Sequence, residues 1–370
     1  MKILKRIMII LVVTLAILAL VTYLFMQQAT FGKLPTGDRL ERISRSPHFK
    51  DGSFQNIEET KMMADGVSYF SLTKEFFSKG VNREPTDTLP AVKTDLKTLS
   101  ADAQIIWFGH SSYLLHLEDK NILVDPVFSD KPSPVQYVGK GSYTGTRIYK
   151  SEDFPPLDAI IISHDHYDHL DYTTILELER QTANFYVPLG VGSHLERWGV
   201  PLTKIHEMDW WESLPILGDM ELISTPARHF SGRGFTRNKT LWSSYVLKSK
   251  EHRLFIGGDS GYDKSFKAIG DKYGPFDLVM LETGQYDVKW PSIHMMPEET
   301  VQASKDLKGD LYLPVHWGKF TLALHPWNEP VNRALAAADK LGVTMITPQI
   351  GAPYVIKNRE ATSRWWLNLQ

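Results

Sequence analysis

The sequence predicts a layered α/β domain, in which helices cover two sheets, behind an N-terminal transmembrane helix. Three observations carry this prediction. The chain opens with a long uncharged stretch, short β-rich runs recur at regular intervals after Ala101, and helical patterns lie between and after the later runs. Strands that first form hairpins and later alternate with helices are typical of such a domain.

Composition limits the class of protein and the kind of site. The chain has 370 residues with 42% hydrophobic content, enough to bury one large core or two smaller ones. A net charge of -2, from 41 basic and 43 acidic residues, provides no basic face, so we expect no nucleic-acid partner. Because the chain has no cysteine, disulfides, thiolate nucleophiles and cysteine-bound zinc are excluded. Any metal must bind to His, Asp or Glu.

The first element is a transmembrane anchor at residues 7–26. This uncharged run covers 20 residues, which cross roughly 30 Å of hydrocarbon as a helix. A cleaved signal peptide has an apolar region of roughly 7–15 residues, and the end of this run shows no convincing cleavage site, so an uncleaved anchor is favoured. Basic residues at positions 2, 5 and 6 favour a cytoplasmic segment 1–6 and a catalytic domain outside the cytoplasm. The bias is modest, because further basic residues follow the run.

Residues 27–99 are polar and broken, and they predict a tether and lead-in segment with one short helical candidate near Ser68 to Ser78. The layered domain is predicted at 100–370. Its strand candidates are QIIWFGH, SYLLHLE, NILVDP, DAIIISH, NFYVP, MELISTPA, SSYVLKS, RLFIGGD, DLVMLE and LYLPVH. Its clearest helical patterns are Tyr172 to Arg180, Pro297 to Leu307, and Glu329 to Leu341 closed by Gly342.

One turn carries an unusual density of metal-binding side chains. The stretch HDHYDHLD follows the strand DAIIIS and contains three histidines and three aspartates in eight residues. A polar turn whose Asp171 caps the next helix is the plain alternative, but three histidines are a costly composition for a turn. Imidazole and carboxylate ligands without thiolate suit zinc, with iron or manganese as weaker alternatives.

Three later residues also follow apolar strands: His229 in TPARHF, Asp259 in FIGGDSG and His316 in LPVHWG. Singly, each is more often a structural residue than a ligand. Together with the cluster they provide five histidines and two aspartates at strand ends, enough for two metals with an open position.

These motifs resemble the metallo-β-lactamase fold superfamily, whose HxHxDH signature is matched by His164, His166, Asp168 and His169. The resemblance implies a four-layer αββα sandwich. It also implies one zinc on His164, His166 and His229, a second zinc on Asp168, His169 and His316, and a bridge between them at Asp259. Asp125, in NILVDPVF, falls at the early Asp of the superfamily, which supports the site rather than binding metal.

Within the superfamily, the flanks resemble the N-acylphosphatidylethanolamine-hydrolysing phospholipase D family and its bacterial relatives. The matching stretches are WFGHSSYLL, DPVFSD, SHDHYDHLD, MDWWES, TPARHFSGRG, HMMPEET and PVHWGKF. The family pattern has Gln before and Trp after the histidine at position 229, whereas Arg228 and Phe230 stand here. This departure bears on the substrate more than on the metals.

The resemblance implies a dinuclear zinc hydrolase, a phosphodiesterase of phospholipase D type whose substrate is an N-acylphosphatidylethanolamine-like phospholipid, and the apolar run at residues 7–26 adds the membrane anchor. Two neighbouring cations can activate a water and polarise the oxygen of the group it attacks. Asp168 is a candidate catalytic residue that orients the nucleophile. His294, in SIHMMPEET, is a candidate to contact the phosphate or protonate the leaving group, and Tyr167 is a candidate substrate contact. A helix-entry hydrogen bond explains His294 equally well.

Other interpretations stay open. His110, in WFGHSS, either supports the site from behind the ligands or ties down a turn. A lactonase or other esterase would use the same metals, and a non-catalytic metal-binding membrane protein is the alternative from another class. GGDSG lacks the spacing of a dinucleotide-binding loop, so no cofactor beyond metal is implied. The sequence gives neither the oligomeric state nor the orientation of Arg228 and Lys319 towards the substrate.

Overall fold

The structure is a computed structural model that describes residues 1–76, 78, 80–100 and 102–370. Within this part of the chain, the helices are α1 (Lys2–Met26), α2 (Gly37–Ser44), α3 (Tyr69–Phe76), α4 (Tyr172–Leu178), α5 (Gly192–Arg197), α6 (Ser265–Tyr273), α7 (Pro297–Asp306) and α8 (Glu329–Leu341). Helix α3 lies within the candidate predicted near Ser68 to Ser78, of which residue 77 falls outside the described residues.

The strands follow in chain order. They are β1 (Phe49–Lys50), β2 (Ser53–Phe54), β3 (Gln104–Trp107), β4 (Tyr113–Leu117), β5 (Lys120–Val124), β6 (Leu157–Ile161), β7 (Thr182–Pro188), β8 (Ile205–Met208), β9 (Ser213–Ile216), β10 (Met220–Thr225), β11 (Ser244–Lys248), β12 (Arg253–Ile256), β13 (Phe276–Glu282), β14 (Gly309–Val315), β15 (Thr344–Met345) and β16 (Pro353–Val355).

Two seven-stranded mixed sheets form the domain. The first has the order β16-β3-β4-β5-β6-β7-β8, and the second has the order β15-β14-β13-β12-β11-β10-β9. In each sheet an antiparallel half built from hairpins continues into a parallel half, at the β5–β6 pair of the first sheet and the β12–β13 pair of the second. This arrangement agrees with the layered α/β domain that the sequence predicts.

The strands are apolar on both faces because both faces are covered. In β3, Ile105 and Trp107 belong to the core shared with the second sheet, whereas Ile106 packs on the other side with Ile175 of α4 and Leu195 of α5. On the outer side of the second sheet, residues of α6, α7 and α8 join its core cluster. The order of layers is therefore helices, sheet, sheet and helices.

The segment 27–99, predicted as a tether and lead-in, packs on the domain. Ile43 of α2 and Phe54 of β2 are fully buried against Trp210 and Trp242. Further along, the backbone N–H of Ala64 donates to the carbonyl of Lys289 over 2.8 Å. Apolar side chains spaced along this polar stretch fix it to the domain surface, so it does not hang free as a tether.

Helix α1 is long and apolar enough to cross a membrane by its length and composition, a test that a signal sequence near an N-terminus would also pass. None of its described residues is buried. Its C-terminal end is bound to the domain: Arg197 donates to the carbonyl of Gln27, and the Trp198 indole N–H donates to the carbonyl of Ala29 over 2.6 Å. The helix axis is thereby held in a defined place beside the domain.

Candidate metal centre

The cluster HDHYDHLD forms the turn between β6 and α4. The backbone N–H groups of His169 and Leu170 donate to the carbonyl of His166, over 3.1 and 2.8 Å, and close the turn tightly. Asp171 then caps α4 by accepting from the N–H of Thr173. Asp171 therefore has the capping role that the plain alternative gives it. This cap does not involve the histidines of the turn.

A first group of ligand atoms is formed by His164, His166 and His229, whose nitrogens lie within 4.8 Å of one another. The Nδ1 atom of His166 lies 2.8 Å from Nε2 of His164 and 3.3 Å from Nε2 of His229. His164 comes from the end of the first sheet and His229 follows β10 of the second. The two sheets therefore meet at this group.

A second group contains Asp168, His169 and His316, together with His110, again within 4.8 Å. The Nε2 atom of His110 lies 3.0 Å from the Oδ2 atom of Asp168. His110 and His316 both have left-handed backbone, and their main chains pair, because the N–H of His316 donates to the carbonyl of His110 over 2.9 Å. His110 thus contacts Asp168 through its side chain and His316 through its main chain.

Asp259 lies between the two groups. Its Oδ2 atom is 3.2 Å from Nε2 of His169, 3.9 Å from Nε2 of His164 and 3.8 Å from Nε2 of His229. Its Oδ1 atom is 3.3 Å from Nδ1 of His316. The carboxylate therefore faces both groups.

The residues fit bound cations on two further observations. Nε2 of His169 and Oδ1 of Asp259 are buried without a hydrogen-bond partner among the described residues, and such atoms are costly unless they hold something. Burial also lowers the pKa of His164, His229 and His316 well below the usual value, which favours the neutral imidazole that can bind a metal.

The Nδ1 atoms of His169 and His229 are held by neighbours. Asp125 accepts from Nδ1 of His169 over 2.8 Å and from the backbone and hydroxyl of Ser163 over 2.7 and 2.6 Å. His229 Nδ1 donates to the carbonyl of Ile293 over 2.8 Å. Such contacts fix the tautomer and leave Nε2 pointing into the centre. Among the described residues, Asp125 contacts His169 but is absent from the groups of candidate ligand atoms.

His294 lies at the edge of the centre, with its ring 5.0 Å from that of His229 and 5.5 Å from that of His316. Its Nδ1 atom is 3.4 Å from Oε2 of Glu282, a buried carboxyl at the end of β13. Burial raises the pKa of Glu282 to about 7. Burial opposes a charge on His294 as well, but the neighbouring Glu282 raises its pKa overall. Glu282 was not anticipated from the sequence.

A cleft of about 230 Å³ opens onto the centre. His166, Asp168, His294 and His316 line its floor. The lead-in segment forms an apolar wall with Met62, Met63, Tyr69 and Leu72. The sequence did not predict this wall, because its few apolar residues lie within a largely polar segment.

Arg237 also lines the cleft. Its guanidinium lies 5.1 Å from the ring centre of Phe230, and one N–H donates to the Tyr69 hydroxyl over 3.2 Å. The cation is thus positioned by aromatic groups and remains available to an anion. It lies in the stretch that follows TPARHFSGRG, and only its position in the sequence could have suggested it.

Three residues lie elsewhere. Tyr167, predicted to contact substrate, donates to the carbonyl of Arg233 over 2.7 Å and stacks on its guanidinium, and it is absent from the described cleft lining. Arg228 donates to Thr60 and to the carbonyl of Glu59 on the lead-in. Lys319 is fully buried and donates to the carbonyl of Val127 over 2.7 Å. Neither cation points into the cleft.

Known proteins are similar to this chain in sequence and in fold. The family model described as Beta-lactamase superfamily domain matches residues 120–317. An uncharacterised protein of Mycobacterium tuberculosis is 41% identical over 328 residues, covering 87% of this chain and 88% of that protein. The N-acyl-phosphatidylethanolamine-hydrolyzing phospholipase D 1 of Caenorhabditis elegans is 32% identical over 228 residues, covering 58% of this chain and 64% of that protein.

Among solved structures, the metallo hydrolase Igni18 of Ignicoccus hospitalis is similar to this chain. It has a TM-score of 0.54 at 19% identity, covering 68% of this chain and 97% of that one. At this identity the likeness concerns the fold alone. The fold is the metallo-β-lactamase fold, with its two mixed sheets and flanking helices.

Proposed function

This chain belongs to the beta-lactamase superfamily, and on that premise we propose that it is a dinuclear zinc hydrolase of phospholipid phosphodiesters, anchored to a membrane by α1. The observation that carries the proposal is the position of Asp259. One of its oxygens faces His169, His164 and His229, and the other faces His316. A site for one structural ion closes with four ligands and has no use for a carboxylate shared between two groups.

The proposed ligands are His164, His166 and His229 for one ion, Asp168, His169 and His316 for the other, and Asp259 for both. Bound zinc would supply Lewis-acid polarisation and activation of water at neutral pH. His110 would hold Asp168 in place through the 3.0 Å contact. Asp168, which also lines the cleft, is the proposed residue that orients the attacking water.

His294 is the proposed proton donor to the leaving alcohol. It lines the cleft, and its side chain is only 12% exposed. Glu282 behind it favours the charged imidazolium, which is the form that can donate a proton. The raised pKa of His294 follows from this neighbour and increases the fraction of the protonated imidazole.

Three features support a phospholipid as the substrate. Arg237 provides a cation for the phosphate at the cleft, and the methionines and Leu72 of the lead-in provide an apolar wall for acyl chains. The C. elegans relative is named for hydrolysis of N-acylphosphatidylethanolamine. Helix α1 would keep the cleft beside lipid, and the basic residues before it favour a catalytic domain outside the cytoplasm.

The test uses the full chain, purified in mild detergent and loaded with zinc. We expect about two zinc per chain by elemental analysis. We also expect cleavage of N-acylphosphatidylethanolamine to phosphatidate, with label from isotopic water appearing on the phosphate. The same preparation is offered a soluble phosphodiester, an acyl lactone and a β-lactam. Activity on the lactone alone would refute the phosphodiesterase and favour the esterase alternative. Inactivity throughout, with two zinc bound, would favour a non-catalytic metal protein.

Membrane topology is tested separately. A reporter that is active only outside the cytoplasm, fused to the C-terminus, should give signal, and the intact mass of the purified chain should include α1. A cytoplasmic readout would reverse the proposed topology. A mass that begins after α1 would identify a cleaved signal sequence.

A further inference from the structure

A second, larger cavity lies away from the metal centre, where α1 meets the domain. It has a volume of about 750 Å³, within the roughly 300–1,000 Å³ that is usual for ligand pockets. One wall is the last two turns of α1, with Ala19, Thr22, Tyr23 and Met26. The opposite wall is the chain from Gly232 to Thr236, which approaches α1 so closely that a Cβ on Gly234 would lie 2.7 Å from Cε of Met26.

The lining of this cavity also contains basic residues. Lys33, Arg197 and Lys239 line it. Arg197 donates to the carbonyl of Gln27 and Lys239 to the carbonyl of Gly52, so each has a neutral oxygen as its hydrogen-bond partner. These two cations therefore keep their charge available to an anion.

One acid also lines the cavity, but it is already occupied. The carboxylate of Asp165 is buried and accepts from the N–H of Gly232 over 2.7 Å and from the hydroxyl of Thr240 over 2.8 Å, and it lies 3.2 Å from Nε2 of His194. It has no free edge to offer a ligand. The cavity thus joins an apolar wall on a membrane-crossing helix to a group of cations.

We propose that this cavity binds one anionic phospholipid of the membrane, with an acyl chain along α1 and the phosphate at Arg197, Lys33 and Lys239. The proposal rests on the membrane anchoring of α1 but not on the catalysis. The apolar wall is continuous with the anchor, so a lipid can enter without leaving the bilayer. Phe235, 85% exposed at the tip of the opposite wall, extends the apolar surface towards the hydrocarbon.

The bound lipid would fix the domain relative to the membrane. The stretch from Phe230 to Thr240 has Phe230 and Arg237 in the catalytic cleft and Gly232 to Thr236 in this cavity. A lipid in the cavity therefore contacts the same loop that lines the cleft. The cleft is thereby held at the bilayer surface, within reach of a lipid substrate.

The experiment is native mass spectrometry of the full chain released from nanodiscs, made either of phosphatidylcholine alone or of phosphatidylcholine with phosphatidylglycerol. We expect one phosphatidylglycerol to stay bound and phosphatidylcholine to be lost. Lys33→Gln, Arg197→Gln and Lys239→Gln together should lower retention at least about tenfold, since basic residues near a membrane surface attract anionic lipids. Added inorganic phosphate should not displace the lipid, because it lacks acyl chains.

Two further variants keep the test decisive. Thr22→Trp fills the apolar wall and leaves every cation in place, and it should also abolish retention. The matched control carries Arg147→Gln, Lys150→Gln and Arg180→Gln, the same change of charge in a cleft that α1 does not line, and it should retain lipid like the wild type. Equal retention of both lipids, or unchanged retention in the Thr22→Trp variant, would overturn the proposal.

The same preparations separate this proposal from the proposed function. Hydrolysis of a soluble phosphodiester should be unchanged in all of these variants, because none of the substituted residues lines the catalytic cleft. Failure of the chain to insert into nanodiscs would refute the anchor and, with it, the lipid site. Inactive protein that retains phosphatidylglycerol would refute the catalysis and leave the lipid site standing.

Discussion

Replacing Asp125 by Asn should loosen the metal centre without touching a proposed ligand. Asp125 has left-handed backbone, with φ of 40°, which Asn tolerates, so the chain path should persist. In the wild type, its two oxygens accept from the N–H and hydroxyl of Ser163 and from Nδ1 of His169. In the variant, one oxygen can still accept from the Ser163 N–H, but an NH₂ group faces His169.

The size of the effect follows from that mismatch. If the His169 proton stays on Nδ1, two donors face each other in a buried site, which costs about 1–3 kcal/mol. If the proton moves to Nε2, the lone pair directed at Asp259 is lost. Both outcomes weaken zinc binding, and loss of a group that positions a metal ligand typically costs about 10–100-fold in affinity.

The assay is zinc retention by the detergent-solubilised full chain against a graded chelator, read by elemental analysis. Asp158→Asn is the matched control, because Asp158 accepts from the N–H of Asn121 over 2.9 Å and from Lys120 over 3.2 Å at a partly exposed position on β6. It should retain zinc like the wild type. If Asp125→Asn also does so, the support role of Asp125 is refuted.

Three other changes test the centre and its surroundings. Asp259→Asn should lower hydrolysis by orders of magnitude and leave the far-UV circular dichroism unchanged, and near-normal turnover would remove Asp259 from the site. His294→Gln should slow substrates with poor leaving alcohols far more than a nitrophenyl phosphodiester, and an equal loss for both would exclude a general acid. Burial lowers the pKa of Lys319 to about 7 from 10.5, so the unfolded chain binds the extra proton between these values and wild-type stability should rise with pH over that window. Lys319→Met should abolish this rise in urea unfolding, and a persisting slope would contradict it.

Much of the fold was predictable because its signal is local. The ten predicted strand runs all overlap observed strands, since buried strands of both sheets are continuous apolar runs. Helix α8 was predicted with its exact bounds, because Gly342 ends it in left-handed backbone at φ of 67°. The missed strands are short or polar: β15 has two residues, and β8 reads IHEM. Such edge strands depend on the neighbours they pair with rather than on their own pattern.

The metal centre was easier to predict than the surroundings of the cleft. Residue type alone identifies candidate metal ligands in the sequence. Because these candidates lie at strand ends, the fold brings together residues as distant in sequence as His164 and His316. The direction of a side chain cannot be predicted from residue type. Tyr167 lies beside proposed ligands in sequence, yet its hydroxyl donates to the carbonyl of Arg233 and its ring stacks on the Arg233 guanidinium. The lead-in segment showed no periodic pattern, because its few apolar residues are buried only by packing on the folded domain.

The metal centre and the walls of the cleft are built from different parts of the chain. The proposed ligands lie at strand ends, where two sheets and their hydrogen bonds fix them. The cleft walls come from outside the sheets: Tyr69 on the lead-in and Arg237 on the loop that also touches α1. Because Arg237 donates to Tyr69 over 3.2 Å, the two walls are coupled to each other and to the anchor. Substrate choice should therefore respond to changes in these attached segments while zinc content stays the same.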